Sequence, residues 1–251
     1  MTLVVVVPTS NGAVVASDAR MTIDNEFSDG HQKLVQVAAA PRSACFFTGC
    51  AASPIGRRNA DETIHQFINR AEYRFDLRLV ARNALLAAAR TIDDALFENI
   101  KASCIEAIYG APSADGRAIA GLGQNFAILG AVVFDRSNGT TTRYLAKLSA
   151  SEDGMLSASE TELVAHHLAD EMCPEVIGEG DYFERHVMTA SDRFKPVTIR
   201  AFSEPRLVIG DVSANQGTKI AEDIIRLASE RTLEIPASTG IGGTPFVSIL
   251  R

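Results

Sequence analysis

Basic excess, long apolar runs, paired cysteines and repeats are all missing from this 251-residue sequence, and each absence removes a class of function. The 24 Lys and Arg stand against 31 Asp and Glu, for a net charge of −7, and no local Lys/Arg run offsets that balance. The footprint of a nucleic-acid binder is therefore missing. The early apolar run, Leu3 to Pro8, is short and has no preceding Lys or Arg, which predicts no signal peptide, and no other run is long enough to span a membrane. The four cysteines, Cys45, Cys50, Cys104 and Cys173, form no C-x-x-C pair, and no histidine cluster has zinc spacing. No metal and no cofactor are expected. Free thiols predict a reducing, cytoplasmic setting. What remains, 46% apolar and 22% charged residues, is the composition of an ordinary soluble globular protein.

Hydrophobic patterning divides the chain into strands and helices. Leu3–Val7 and Gly12–Ser17 are short, β-branched and separated by a Ser-Asn-Gly turn, a hairpin signal. Apolar stretches at Leu34–Val37 and Ala44–Phe47 extend this into an antiparallel β unit. Asn59 with Glu62 reads as a capping box for a helix whose apolar face is Ile64, Phe67, Ile68 and Ala71. A longer helix is predicted from Leu77 to Ala102, since no Gly or Pro interrupts it. Strands resume at Phe126–Phe134 and Thr140–Leu148, around Ser137-Asn138-Gly139. A short helix is expected over Glu160–Met172, strands at Val197–Arg200 and Arg206–Gly210, a helix over Asn215–Arg231, and a closing strand after the Gly240–Gly243 turn. The order predicts a layered α+β architecture in a single domain, 1–251.

One set of residues carries chemistry. Removal of Met1 would leave Thr2 with a hydroxyl and a free α-amine, and that amine, with a pKa of about 7.7–8, can take the hydroxyl proton near neutral pH. The segment Gly12-Ala-Val-Val-Ala-Ser-Asp18-Ala-Arg20-Met-Thr22 follows, then Lys33 and the turn Thr48-Gly49-Cys50-Ala51-Ala52. Taken singly these residues have ordinary readings: Asp18 as a turn former, Lys33 as a solvated lysine, Phe47 as core. The pair His166-His167 does not converge on a metal if helical, because adjacent side chains diverge by about 100° there.

Together these segments resemble the proteasome β-type family of N-terminal-nucleophile hydrolases, most of all its bacterial homologues, HslV-type or related ring peptidases. The resemblance covers about residues 2–150, returns weakly at 206–250, and leaves 155–205 as a diverged or inserted segment. It implies a four-layer αββα sandwich with antiparallel sheets. It also implies a threonine endopeptidase that degrades peptide or unfolded protein, built as stacked homo-oligomeric rings that an ATP-dependent unfoldase could serve. On matching positions, Thr2 would be the nucleophile, with Lys33 beside it. Asp18 would hold Lys33 and raise its pKa, Arg20 would order that pair, and the Gly49 N–H would stabilise the oxyanion. Thr22 would bind the substrate backbone, with Phe47 and Ala51 shaping the pocket for the cleaved residue.

Two departures stand out. The family's further Asp and Ser before the last strand have no clear aspartate here, while Ser238 or Thr239 can stand in for the serine. A second family serine could correspond to Asp211 or Ser213. The same residues are open to two other readings: a small-molecule amidase with the same nucleophile, or a non-catalytic ring subunit that keeps Met1.

Overall fold

The architecture is set by two antiparallel sheets whose central strands bury both faces. The computed structural model describes residues 2–23, 26–49, 52–88, 91–111, 127–151, 155–158, 162–178, 207–234 and 240–251. Strands β1 (Leu3–Thr9) and β2 (Gly12–Ser17) form a hairpin, flanked by β13 (Glu175–Gly178) on β1 and β14 (Phe246–Leu250) on β2. The second sheet runs β11 (Leu156–Ala158), β10 (Thr140–Ala150), β9 (Ala127–Asp135), β6 (Arg42–Thr48), β5 (Leu34–Ala39), with β12 (Glu162–His166) also paired to β10. Two small hairpins complete the β structure: β3 (Met21–Ile23) with β4 (Glu26–Ser28), and β7 (Ala52–Pro54) with β8 (Tyr73–Asp76).

Period-two alternation explains why the first strands read as continuous hydrophobic runs. Leu3, Val5, Val7, Val14 and Ala16 pack in one apolar cluster with Ile224, Ile225 and Ala228 of helix α4 (Ala214–Glu234). Their neighbours Val4, Val6, Ala13 and Val15 point the other way and meet Cys45, Phe47, Val132 and Phe134 of the second sheet. The opposite face of that sheet, through Ala44, Phe46, Leu129 and Ala131, packs on helices α2 (Leu77–Ala87) and α3 (Leu96–Tyr109). A strand covered on both faces needs apolar residues at every position, unlike a half-solvated one. Burial pushes the Cys45 and Cys104 thiols up to about 12, which leaves them inert near neutral pH.

Several sequence expectations are corrected. Helix α1 (Ile64–Arg70) is capped by Thr63 in a reciprocal box with Gln66, while Asn59 and Glu62 close a separate turn ahead of it. The long helix predicted over 77–102 is two helices. Asp93 accepts the Ala95 N–H at 3.1 Å, and such local side-chain bonding competes with the helical ladder. Glu162–His166 is a strand, because β10 is long enough to pair β11 along one half and β12 along the other. Next to it, Arg143 of β10 ion-pairs with Glu175 of β13, and His166 of β12 meets the same carboxylate, which ties the two sheets together. Of the strand predicted over 206–210, the described residues 207–210 do not form one: Val208 makes an isolated bridge to Glu171, and Ile209–Asp211 is a 3-10 turn. The strand predicted at 197–200 lies outside the described residues. No described helix is long and apolar enough to cross a membrane.

Candidate active site

Thr2 sits at the entry of β1, where alternation aims its side chain between the two sheets, on the same face as Val4 and Val6. It is 5% exposed, and its hydroxyl donates to the Gly49 carbonyl oxygen at 2.9 Å. The hairpin brings Asp18 level with Leu3. The Asp18 N–H donates to the Leu3 carbonyl at 3.1 Å, and the Leu3 N–H donates to Asp18 Oδ1 at 3.0 Å. Lys33 immediately precedes β5, and its Nζ donates to the same Oδ1 at 2.8 Å. One carboxylate oxygen therefore joins the lysine ammonium to the peptide that follows Thr2. Asp18 is fully buried and Lys33 is 4% exposed.

The electrostatics of this pair differ from expectation. Asp18 does favour the charged lysine, but burial outweighs it, and the Lys33 ammonium is held below its ordinary range. A lysine in that state gives up its proton more readily near neutral pH than a solvated one.

Arg20 is fixed on every side. Its N–H donates to Asp18 Oδ2 at 3.2 Å, its guanidinium forks onto Asp29 at 2.8 and 3.1 Å, and its Cζ lies 3.8 Å over the Phe27 ring. The C-terminal turn closes over it: the Ala19 N–H donates to the Gly242 carbonyl at 2.9 Å, and any Cβ on Gly242 would overlap the guanidinium. Thr22 lies on β3 opposite Phe27, and β3 pairs only with β4 among the described residues.

Three expected roles are not found. The Gly49 N–H donates to the Ile128 carbonyl at 2.6 Å, extending the β6–β9 ladder by one bond, so Gly49 turns its carbonyl rather than its N–H toward Thr2. Phe47 does not line a pocket. It is 1% exposed, belongs to the cluster between the sheets, and its ring fills the space that a Gly130 side chain would need. Asp211 and Ser213 precede α4: Asp211, exposed, ends the 3-10 turn, and Ser213 caps the helix reciprocally with Gln216. Ala51, Ser238 and Thr239 lie outside the described residues.

Phe47→Ala is accordingly expected to lower the unfolding free energy by about 3–5 kcal/mol, the cost of emptying a core aromatic site. Urea denaturation measures this, and a pocket-lining ring would be removed at little cost.

Sequence reasoning missed Asp29 and Gly178. Asp29 stands in a Ser-Asp-Gly turn that gives no hint of Arg20 as its partner. Gly178 faces Leu3 across β1–β13 with φ +93°, and a Cβ there would lie under 3.0 Å from the Thr2 carbonyl oxygen. Its signal was readable: Val176-Ile177 followed by Gly178-Glu179-Gly180, an apolar pair running into Gly-x-Gly.

Among the described residues no group of three or more His, Cys, Asp or Glu is placed to hold a metal. No protein-family model matches the chain, and no curated protein matches it in sequence. Its structure is similar to a solved Anbu complex of Pseudomonas aeruginosa described as a helical assembly, with a TM-score of 0.52 at 13% identity over 98% of this chain and 80% of that one. It is also similar to Anbu of Yersinia bercovieri, described as an ancestral beta-subunit, with a TM-score of 0.46 at 14% identity over 100% of this chain and 81% of that one. A third, Anbu of Hyphomicrobium sp. strain MC1, has a TM-score of 0.46 at 13% identity over 98% and 81%. At 13% identity the Pseudomonas aeruginosa structure establishes a shared fold. The sequence resemblance is thereby corrected: these similar solved structures are Anbu proteins, and no family model and no curated protein supports an HslV-type peptidase.

Proposed function

We propose that this chain is a proteasome-like threonine peptidase that attacks peptide bonds with Thr2 once Met1 is removed. The observation that carries this reading is the single Asp18 oxygen shared by Lys33 Nζ and the Leu3 N–H, which fixes a buried lysine next to the residue that bears the nucleophile. With Met1 gone, the Thr2 amine takes the proton from Oγ as Oγ bonds to the substrate carbonyl carbon. The same proton is then delivered to the leaving amine, and water later hydrolyses the acyl ester. Lys33 favours the alkoxide by its charge or takes the proton in its neutral form, and Asp18 and Arg20 hold it in place. The hydroxyl must leave the Gly49 carbonyl to attack, and Gly49 has no oxyanion role in this arrangement. Thr22, on β3 opposite Phe27, would bind the backbone of an extended substrate.

The three apolar clusters fit a four-layer αββα sandwich with α2 and α3 outside one sheet and α4 outside the other, in one domain covering 1–251. Strands β12 and β13 pair within the two sheets, which favours divergence over insertion for the start of the 155–205 segment. Self-association follows the analogy with an Anbu complex described as a helical assembly. If that association closes a chamber, folded proteins would need an ATP-driven unfoldase to enter. Buried free thiols fit a cytoplasmic setting.

The test is covalent trapping. A threonine-reactive electrophile is expected to label Thr2 in protein whose mass shows Met1 removed, and to leave Thr2→Ala unlabelled and without peptidase activity. An unlabelled wild type with Thr2 exposed at the terminus would end this reading.

A further inference from the structure

Beside the candidate active site, two imidazoles converge on one buried hydroxyl. Ser28, at the end of β4, is 4% exposed. Its Oγ lies 2.9 Å from His31 Nε2 and 2.8 Å from His65 Nδ1, and the other nitrogen of His65 lies 2.9 Å from Asn69 Nδ2. The two rings are 6.2 Å apart. His31 also donates its backbone N–H to the Ala19 carbonyl at 2.9 Å, between Asp18 and Arg20. The chain of contacts therefore runs from α1 through β4 to the segment that holds the Lys33 partner.

An amide nitrogen only donates, so His65 Nε2 is the acceptor, His65 Nδ1–H donates to Ser28, and Ser28 gives its proton to His31 Nε2. This order of donors and acceptors needs His31 Nε2 without a proton. A proton on His31 makes Nε2 a donor and leaves the Ser28 hydroxyl hydrogen buried without this acceptor. A proton on His65 sets its Nε2–H against the Asn69 NH2.

We propose that His31, Ser28 and His65 form a proton-sensitive staple that positions the β3–β4 hairpin, and with it the substrate strand, against the Asp18–Arg20 segment. These are positioning residues, and their effect on catalysis rests on the peptidase reading. The charges around the staple act in both directions. Arg78 of α2 and Lys33 oppose a proton on His31, Asp29 favours it, and Arg20, forked onto Asp29, takes up part of that carboxylate. Burial, the largest influence, holds the His31 imidazole below its ordinary range. As pH falls, the unfolded chain therefore takes up the proton first, at about 6.5, so the His31 contribution is complete above that pH and is lost toward its own lower value.

Two measurements on the full assembly test this. The first is independent of activity. In protein with 13C-labelled histidine rings, Ser28→Ala should shift the titration of His31. Hydrogen exchange at residues 21–23 and 26–28 should rise in Ser28→Ala at all pH values, and in wild type only as pH falls. The second measurement is kinetic. Between about pH 8 and pH 5, KM for an unstructured peptide should rise several-fold in wild type, whereas in Ser28→Ala it should be high and flat. A His31 titration unmoved by Ser28→Ala, or hairpin exchange that ignores both pH and the substitution, would overturn the staple. An inactive protein with the expected titrations and exchange would instead sink the peptidase reading and leave the staple standing.

Discussion

Asp18→Asn is expected to destabilise the protein by about 3–5 kcal/mol at pH 7, the usual result of stripping one partner from a buried ion pair. Asp18 is fully buried and Lys33 nearly so, and water cannot take over from the lost charge. The same substitution should remove most peptidase activity, because Oδ1 also holds the Leu3 N–H and thereby orients Thr2. Stability and chemistry can be separated by pH. Lys33 already lies below its ordinary range through burial, and without Asp18 it should fall further. Between that lowered value and the ordinary one of about 10.4, the unfolded chain binds the extra proton, so stability rises with pH. The deficit of Asp18→Asn should therefore shrink between pH 7 and pH 9, while activity stays lost. The double variant Asp18→Leu/Lys33→Met should recover much of the stability, since two packed apolar side chains replace a desolvated pair, and should remain inactive. Guanidinium melts at both pH values, alongside peptide turnover, check all three proteins. A pH-independent deficit would mean that the lysine does not depend on Asp18 for its charge.

What the sequence disclosed and what it hid follow from the range of the interactions involved. Leu3 to Val7 and Ala13 to Ala16 were readable because both faces are buried and every position is apolar. The Asp18–Lys33 contact was expected because spacing from Thr2 and a family resemblance pointed to it. Phe47 was ambiguous because an aromatic two residues before a glycine turn suits either a pocket or a core. The facing Gly130, 83 residues further along the chain, decides it, and no local pattern announces that pairing. The break between α2 and α3 was missed because Asp93 competes through a side-chain bond, whereas Gly and Pro were the breakers sought. Glu162–His166 was read as helix because its partner, the first half of β10, lies some twenty residues earlier by rough count, and strand pairing of that kind overrides local propensity. The HslV-type resemblance went unsupported because the motifs that carried it concern only the surroundings of Thr2, a small part of the chain.

Gly178→Ala is expected to cripple the site through the backbone alone. The residue has φ +93°, where an L side chain carries strain of about 1–3 kcal/mol, and its Cβ would press on the Thr2 carbonyl oxygen. That oxygen is backbone, held in the β1–β13 register, and cannot swing aside as a flexible side chain could. Relief requires β13 to part from β1 or Thr2 to shift, and a displacement of about 1 Å at a reacting group costs on the order of 10²-fold in rate. Gly56 supplies the control. It has φ +97°, and a Cβ there meets nothing within 4 Å, so Gly56→Ala imposes similar strain without the collision. If the close approach to Thr2 is what matters, Gly178→Ala should lose roughly 10²-fold or more in kcat/KM while Gly56→Ala keeps near-normal turnover. Their denaturation midpoints should differ by the cost of the collision. Equal losses in both variants would assign the effect to backbone strain and leave Gly178 no special part in placing the nucleophile.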